Sequence, residues 1–493
     1  MRPGKIPLVQ ALLEYQKCQY RPFHMPGHKQ GAGEPEWFRE ILGSSVFAWD
    51  LTELPGLDDL HNPSGVIFEA QQAAARCFGA EDSFFLINGS TVGIQAMVLA
   101  VAGVGDEIFI PRQAHRSVVS GLILSGAWPR YLPVHIEPDF QIPLGTRDCD
   151  LRKAVLKYPK AQSLMVIHPN YYGITSNLPV LLKESKSREL ICIADEAHGP
   201  HFRFHKQLPI SALEAGVDAT TQSLHKILSS LTQTALLHRQ GTRLDRERLR
   251  RSLDILQSTS PSYVLMASLD AARWQVEEEG ATRLEHTLEL AEKAREAINR
   301  IKGLSCLGDE VRGDPSVGEW DPTKLVISVR GLGLTGYEAQ DILGNKYRIQ
   351  IEMADYYNIL VMITIGDSPE AIDDLIKALR ELASCYFGKD NIKINKLSSI
   401  SRMGIWKHPP EVAVTPREAF FCQQTRATIL EEAEGEIAAE MVCPFPPGVP
   451  LLTPGERISR PIIEIIKELS AGGTAWQGCL DKTLASIQVL EID

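Results

Sequence analysis

One lysine, Lys226, stands in an apolar and hydroxyl-rich run, Thr220–His238 (TTQSLHKILSSLTQTALLH), directly after His225 and three residues after Ser223. Burying an ammonium is costly, so a lysine in such surroundings points to an amine that the protein uses. Desolvation lowers its pKa and makes it nucleophilic enough to form an imine with a carbonyl compound. The same residues equally suit a lysine whose head reaches solvent from a strand-to-helix turn. Upstream positions decide between the two. Asn88–Thr91 (NGST) follow the apolar SFFLI and open a helical pattern, so free amides and two hydroxyls, Ser90 and Thr91, can cradle a phosphate; a plain N-cap has the same sequence. His115 begins a helix after the strand-like EIFIP, and Asp195 follows LICIA with His198 and His201 close behind. A carboxylate just after a buried apolar strand needs a cationic or N–H partner, or serves as a helix cap.

The elements that must position these side chains alternate. Strand-like segments are Ser83–Ile87, Glu107–Pro111, Ser163–His168 and Leu190–Ala194, with a helix over Val66–Cys77. Each segment ends in polar residues, and in an open parallel sheet ligands bind beyond the carboxyl ends of the strands. Upstream lie a short amphipathic helix (7–20) and the loop Arg21–Gly33 with His24, His28 and Lys29, read as a structured loop beside a site. The acidic, turn-rich Asp50–Asn62 reads as irregular. Downstream, Ser258, Thr259 and Ser260 fall in a loop before a helix, and a second, charged helix spans Glu285–Ile301. The pattern divides into an N-terminal arm (1–40), a large domain (41–300), a smaller α/β unit (301–387), a polar linker (388–410) and a C-terminal α+β domain (411–493).

The totals narrow the function. A chain of 493 residues, 44% hydrophobic, can bury several cores, and its net charge of −11 argues against nucleic acid or an anionic membrane as partner. The cysteines are scattered without metal spacing, which predicts reduced thiols and no metal centre. No signal-peptide pattern or spanning segment is evident, so a cytoplasmic protein is expected.

An amine in a dry pocket, a phosphate cradle, an imidazole for ring stacking and a buried carboxylate together fit pyridoxal phosphate. Its aldehyde takes a lysine, its phosphate a helix N-terminus, and its pyridine nitrogen an anion such as Asp195. The runs RPFHMPGHKQGAG, DLTELPGLDDLHNPSGVI, FLINGSTVGIQA, ADEAHGPHF, SLHKILSSLTQ, QSTSPSYVLMASLD and FPPGVPLLTPGE, spread over nearly the whole chain, resemble the Orn/Lys/Arg decarboxylases. That resemblance implies an aminotransferase-like, fold-type-I α/β domain with a mostly parallel sheet. It also implies decarboxylation of a basic L-amino acid, with arginine ahead of lysine and ornithine. It assigns Lys226 to the imine, Asp195 to the pyridine nitrogen with His198 beside the cofactor, and His115 to the ring face. Ser90, Thr91, Ser223 and His225 would hold the phosphate, while Thr259 and Ser260 would reach that of a neighbouring subunit, making a homodimer. The C-terminal domain would close the substrate entrance. Departures are slight: Arg116 stands where Lys is usual and Pro200 where a small residue is. Either Lys226 or His225 would return a proton to Cα. Carboxylates offered for the distal cation are Glu352, Asp355, Glu440 and Glu456, each equally suited to a cap or a surface pair. Two rivals remain: another fold-type-I activity, such as an aminotransferase clamping the carboxylate with Arg330 or Arg348, and a non-catalytic cofactor-binding protein.

Overall fold

The computed structural model describes residues 6–388, 406–446 and 448–491, so most of the linker expected at 388–410 lies outside the described residues. Seven strands form the large sheet: β1 (Asp82–Leu86), β2 (Glu107–Pro111), β3 (Trp128–Leu132), β4 (Ser163–Ile167), β5 (Ile191–Asp195), β6 (Ala219–Gln222) and β7 (Ala235–Arg239). They lie in the order β1-β7-β6-β5-β4-β2-β3, and only β7 runs antiparallel to its neighbours. Helices cover both faces, as a parallel sheet requires. Helix Gly89–Val101 approaches closely because Gly93 has no side chain: a Cβ there would lie 2.6 Å from both Leu86 Cδ1 and Thr221 Oγ1.

Three strands escape the sequence reading. β3 (WPRYL) carries Pro129 and Arg130 and survives as an edge strand, where a missing N–H costs least. β6 is four residues of ATTQ, and β7 lies in the apolar run after Lys226. The helices expected on either side of Gly280 are one continuous helix, Tyr263–Asn299, of 37 residues. Its first half packs in the large-domain core with Tyr263, Met266 and Val276, and its last turns, Leu290–Ile298, belong to the small-domain core. Gly280 is tolerated because packing on both sides outweighs its weak helix propensity.

The small domain holds an antiparallel sheet in the order β10-β11-β9-β8, with β8 (Ser305–Cys306), β9 (Lys324–Ser328), β10 (Met353–Ala354) and β11 (Asn358–Met362). The C-terminal domain has two ribbons, β12 (Thr425–Ile429) with β15 (Ser486–Leu490) and β13 (Cys443–Phe445) with β14 (Ala475–Gln477), packed with helix Arg460–Ala471. Arg112, just past β2, ties this domain to the large one. It donates to the carbonyls of Pro450 and Leu451, each at 2.9 Å, and to Glu456 Oε2 at 3.0 Å. The turn-rich segment before helix Val66–Phe78 also has a structural task, since Asp58 accepts the amides of Ser64, Gly65, Ile67 and Phe68 at the helix start.

Candidate active site

Ile167 pairs with Asp195, and Asp195 with Thr221, so the carboxyl ends of β4, β5 and β6 lie level. The segments leaving them open into one cavity of about 490 Å³. The large domain lines it with Ser90, Thr91, His115, Asp195, His198, Ser223, His225 and Lys226, so eight of the ten cofactor positions singled out in this domain converge. Tyr337, Asp355 and Tyr356 enter from the small domain. Trp406, Pro444, Pro446, Val449, Leu451, Ile465 and Leu469 add an apolar wall from the C-terminal part of the chain.

Lys226 Nζ lies 2.8 Å from His198 Nε2 and 5.5 Å from the centre of the Tyr171 ring. Burial lowers its pKa, against the upward pull of Asp195 and Glu352. Asp195 is buried, which pushes its carboxyl up, while Lys226 and the Ala197 amide (3.1 Å to Oδ1) draw it down. His115 caps helix Arg116–Ser125: its Nδ1 accepts from the Ser117 amide at 3.3 Å, and burial brings its pKa to about 4. The ring is therefore neutral at physiological pH. His225 must donate from Nδ1 to the Thr234 carbonyl (2.8 Å), because a carbonyl only accepts; burial lowers its pKa too.

The fit to pyridoxal phosphate rests on groups left unpartnered. Helix Gly89–Val101 has no side-chain cap, since Asn88 Oδ1 instead accepts the Ser258 amide at 3.1 Å. The Gly89 amide is donated to the Gln233 carbonyl, and those of Ser90 and Thr91 that follow can meet an anion. Ser223 Oγ is buried without any hydrogen-bond partner, as expected of a hydroxyl placed for a ligand. With Lys226 and Asp195 in the same cavity, phosphate, aldehyde and ring nitrogen each have a suitable group.

Other candidates lie elsewhere. Thr259 and Ser260 are exposed and do not line this chain's cavity. Glu440 accepts the Leu480 and Gln488 amides, and Glu456 is engaged by Arg112, so both carboxylates serve the C-terminal domain. Glu352 is exposed outside the lining. Asp355 reaches the cavity but already accepts from Tyr172 Oη (2.8 Å) and from the Tyr357 and Asn358 amides. Arg330 donates to the Asp139 carbonyl and Arg348 ends helix Gly336–Tyr347; neither lines the cavity. The His24/His28 loop also lies off it, with His28 Nε2 at 3.1 Å from Asp50. No metal-ligand cluster occurs among the described residues.

Two neighbours of Lys226 were not anticipated. Tyr171 packs its ring 4.6 Å from that of His198, in a turn built by Asn170, whose Oδ1 accepts the Tyr172 and Ile174 amides. Lys324, fully buried at the start of β9, sits 3.1 Å from His198 Nδ1. The turn was legible in PNYYG, but nothing local marks Lys324, whose partner is distant in sequence.

Known proteins resemble this chain in sequence and in fold. The family profile described as Orn/Lys/Arg decarboxylase, major domain, matches residues 6–371, and that of the C-terminal domain matches 401–479. A protein of Halalkalibacterium halodurans named arginine decarboxylase is 38% identical over 99% of this chain and 98% of its own length. One of Bacillus subtilis with the same name is 38% identical over 100% of this chain and 99% of its own length. A lysine decarboxylase of Pseudomonas aeruginosa is 25% identical, covering 95% of this chain and 76% of its own. The crystal structure of the Francisella novicida lysine decarboxylase superposes with a TM-score of 0.84 at 20% identity, covering 99% of this chain and 81% of that one, which establishes a common fold. With both domains matched and near-full-length relatives above a third identical, the chain belongs to the Orn/Lys/Arg decarboxylase family.

Proposed function

We propose that this protein converts L-arginine to agmatine and CO₂ with pyridoxal phosphate as cofactor. The observation that carries the choice of arginine is the name shared by its near-full-length relatives. When bound, pyridoxal phosphate supplies an aromatic ring able to accept the electron pair that the departing carboxylate leaves. Lys226 is the amine that holds the cofactor, and Asp195 is the anion for its ring nitrogen. Ser90, Thr91, Ser223 and His225 hold the phosphate, His115 lies against the ring face and His198 stands beside it. Thr259 and Ser260, exposed in one chain, reach the site of a second copy, so the working unit is a homodimer.

The chain's own groups then do three things. The apolar wall of Trp406, Pro444, Pro446, Val449 and Leu451 keeps water from the substrate carboxylate, which favours its loss as neutral CO₂. Lys226 Nζ takes the proton of the incoming ammonium and returns one to Cα. His225 is less suited to that task, because its Nδ1–H is engaged by Thr234 and burial disfavours the charged ring. Asp355, of the four carboxylates considered for the distal cation, is the one that faces the cavity. No helix among the described residues is long and apolar enough to cross a membrane, and we place the enzyme in the cytoplasm.

The test is to offer purified, cofactor-loaded protein arginine, lysine and ornithine in turn. Agmatine and CO₂ from arginine, at a kcat/KM well above the others, are expected. Cadaverine or putrescine as the preferred product would reassign the substrate, and a keto acid would point to transamination. A coloured protein that turns over none of the three would favour the binding-protein reading.

A further inference from the structure

Lys324 has no place in the chemistry above, yet it lies behind His198, on the far side from Lys226. Its side chain is fully buried, an expensive position for a lysine. The PNYYG turn makes room for its stem: Gly173 adopts φ +87°, and a Cβ there would come within 3.0 Å of Lys324 Cγ. The Nζ so placed has two acceptors, His198 Nδ1 at 3.1 Å and Met362 Sδ at 2.8 Å. The other ring nitrogen, His198 Nε2, is 2.8 Å from Lys226 Nζ.

One imidazole between two amines can accept at only one nitrogen while neutral, because the other then carries the proton. Two ammonium groups cannot both donate to it. Burial and the two flanking lysines hold the His198 pKa well below its usual value, so the ring stays neutral. The choice falls on which lysine is the cation. Lys324 has a second acceptor in Met362 and a nearby anion in Asp321; burial lowers its pKa to about 8, which still leaves it mostly charged at neutral pH. Lys226, lowered by burial against Asp195 and Glu352, has His198 and the face of Tyr171, and it opens onto the cavity, where a free amine can react.

We propose that Lys324 is a positioning residue: as an ammonium it donates to His198 Nδ1, fixes the Nε2–H tautomer, and so turns a hydrogen-bond donor toward Lys226 that only a free amine can accept. The inference rests on the reading of Lys226 as the cofactor-holding amine and supplies what keeps that amine nucleophilic. No bond is made or broken. Around Lys226 the titratable and charged groups are Asp195, Glu352, His198, Lys324, His115, His225 and Tyr171.

Two measurements on the full-length chain, neither depending on turnover, test it. Ring ¹⁵N shifts of His198, assigned by their loss in His198→Gln, should report the neutral Nε2–H form from pH 6 to 8. The Nδ1–H form, or an imidazolium, would overturn the proposal. Acetic anhydride labelling of Lys226 in cofactor-free protein, followed by mass spectrometry across pH, should then move in Lys324→Met. Loss of the tautomer lock and of a like charge shifts the midpoint up by about one unit, a tenfold drop in free amine at neutral pH. Lys324→Arg, which keeps a cationic donor, should restore most of it. An unshifted midpoint in folded Lys324→Met would sink the idea while leaving the decarboxylase reading intact. Should that variant not fold, the wild-type ¹⁵N measurement decides alone.

Discussion

Asp195 is held at one oxygen by the Ala197 amide, a contact that an asparagine oxygen can keep. Asp195→Asn should therefore fold like the parent while losing the negative charge offered to the cofactor ring. Turnover should fall by roughly 10²–10³-fold, the scale of removing one preorganised electrostatic partner, with an unchanged circular dichroism spectrum. Lys226→Ala should abolish both turnover and the bound cofactor's visible absorbance. Gly173 offers a contrasting case, since it touches no reacting atom. Gly173→Ala places a side chain in the left-handed region against the Lys324 stem, and urea unfolding should register a loss of about 1–2 kcal/mol.

At the scale of elements, the join between β2 and the C-terminal domain is the most exacting. Arg112 and Glu456 have side chains 2% and 0% exposed, so removing the anion strands a buried cation. Glu456→Leu should cost about 3–5 kcal/mol in denaturant unfolding; a loss below 1 kcal/mol would mean that the two carbonyls suffice for Arg112. The strands that end at the cofactor groups were readable because each is a short apolar run closed by polar residues, as in EIFIP before His115 and LICIA before Asp195. β3 and β6 were not, because a proline-bearing edge and a hydroxyl-rich strand have no such contrast, and neighbours supply their pairing. Residues joined by local spacing, such as Ser223, His225 and Lys226, were legible for the same reason. Lys324 was not, since what makes it matter is a contact with His198 across two domains.

The whole molecule carries its own pH signature. Burial lowers His168 to about 4 and His238 to about 3, from 6.5 in the open chain. Between those values the unfolded state binds the extra protons. This stability is complete above about pH 6.5 and is lost as pH falls, by about 1.4 kcal/mol per unit for each ring. Glu196 works in the opposite sense: burial raises it to about 8 from 4.5, so its contribution is complete below 4.5 and disappears as pH rises toward 8. His115, lowered to about 4, adds a third ring, and His198 acts in the same sense; in the overlap Glu196 offsets one of them, leaving a net slope of at least about 2.8 kcal/mol per unit. Urea midpoints taken every half unit from pH 6.5 to 4.5 should decline accordingly, and a flat series would refute the assignment.

The rod Tyr263–Asn299 begins in one hydrophobic core and finishes in another, without a break. Two bodies skewered on a common axle share its bearing, so the groups that each lends to the cavity are held in one register, with Tyr337, Asp355 and Tyr356 facing Lys226 and Asp195.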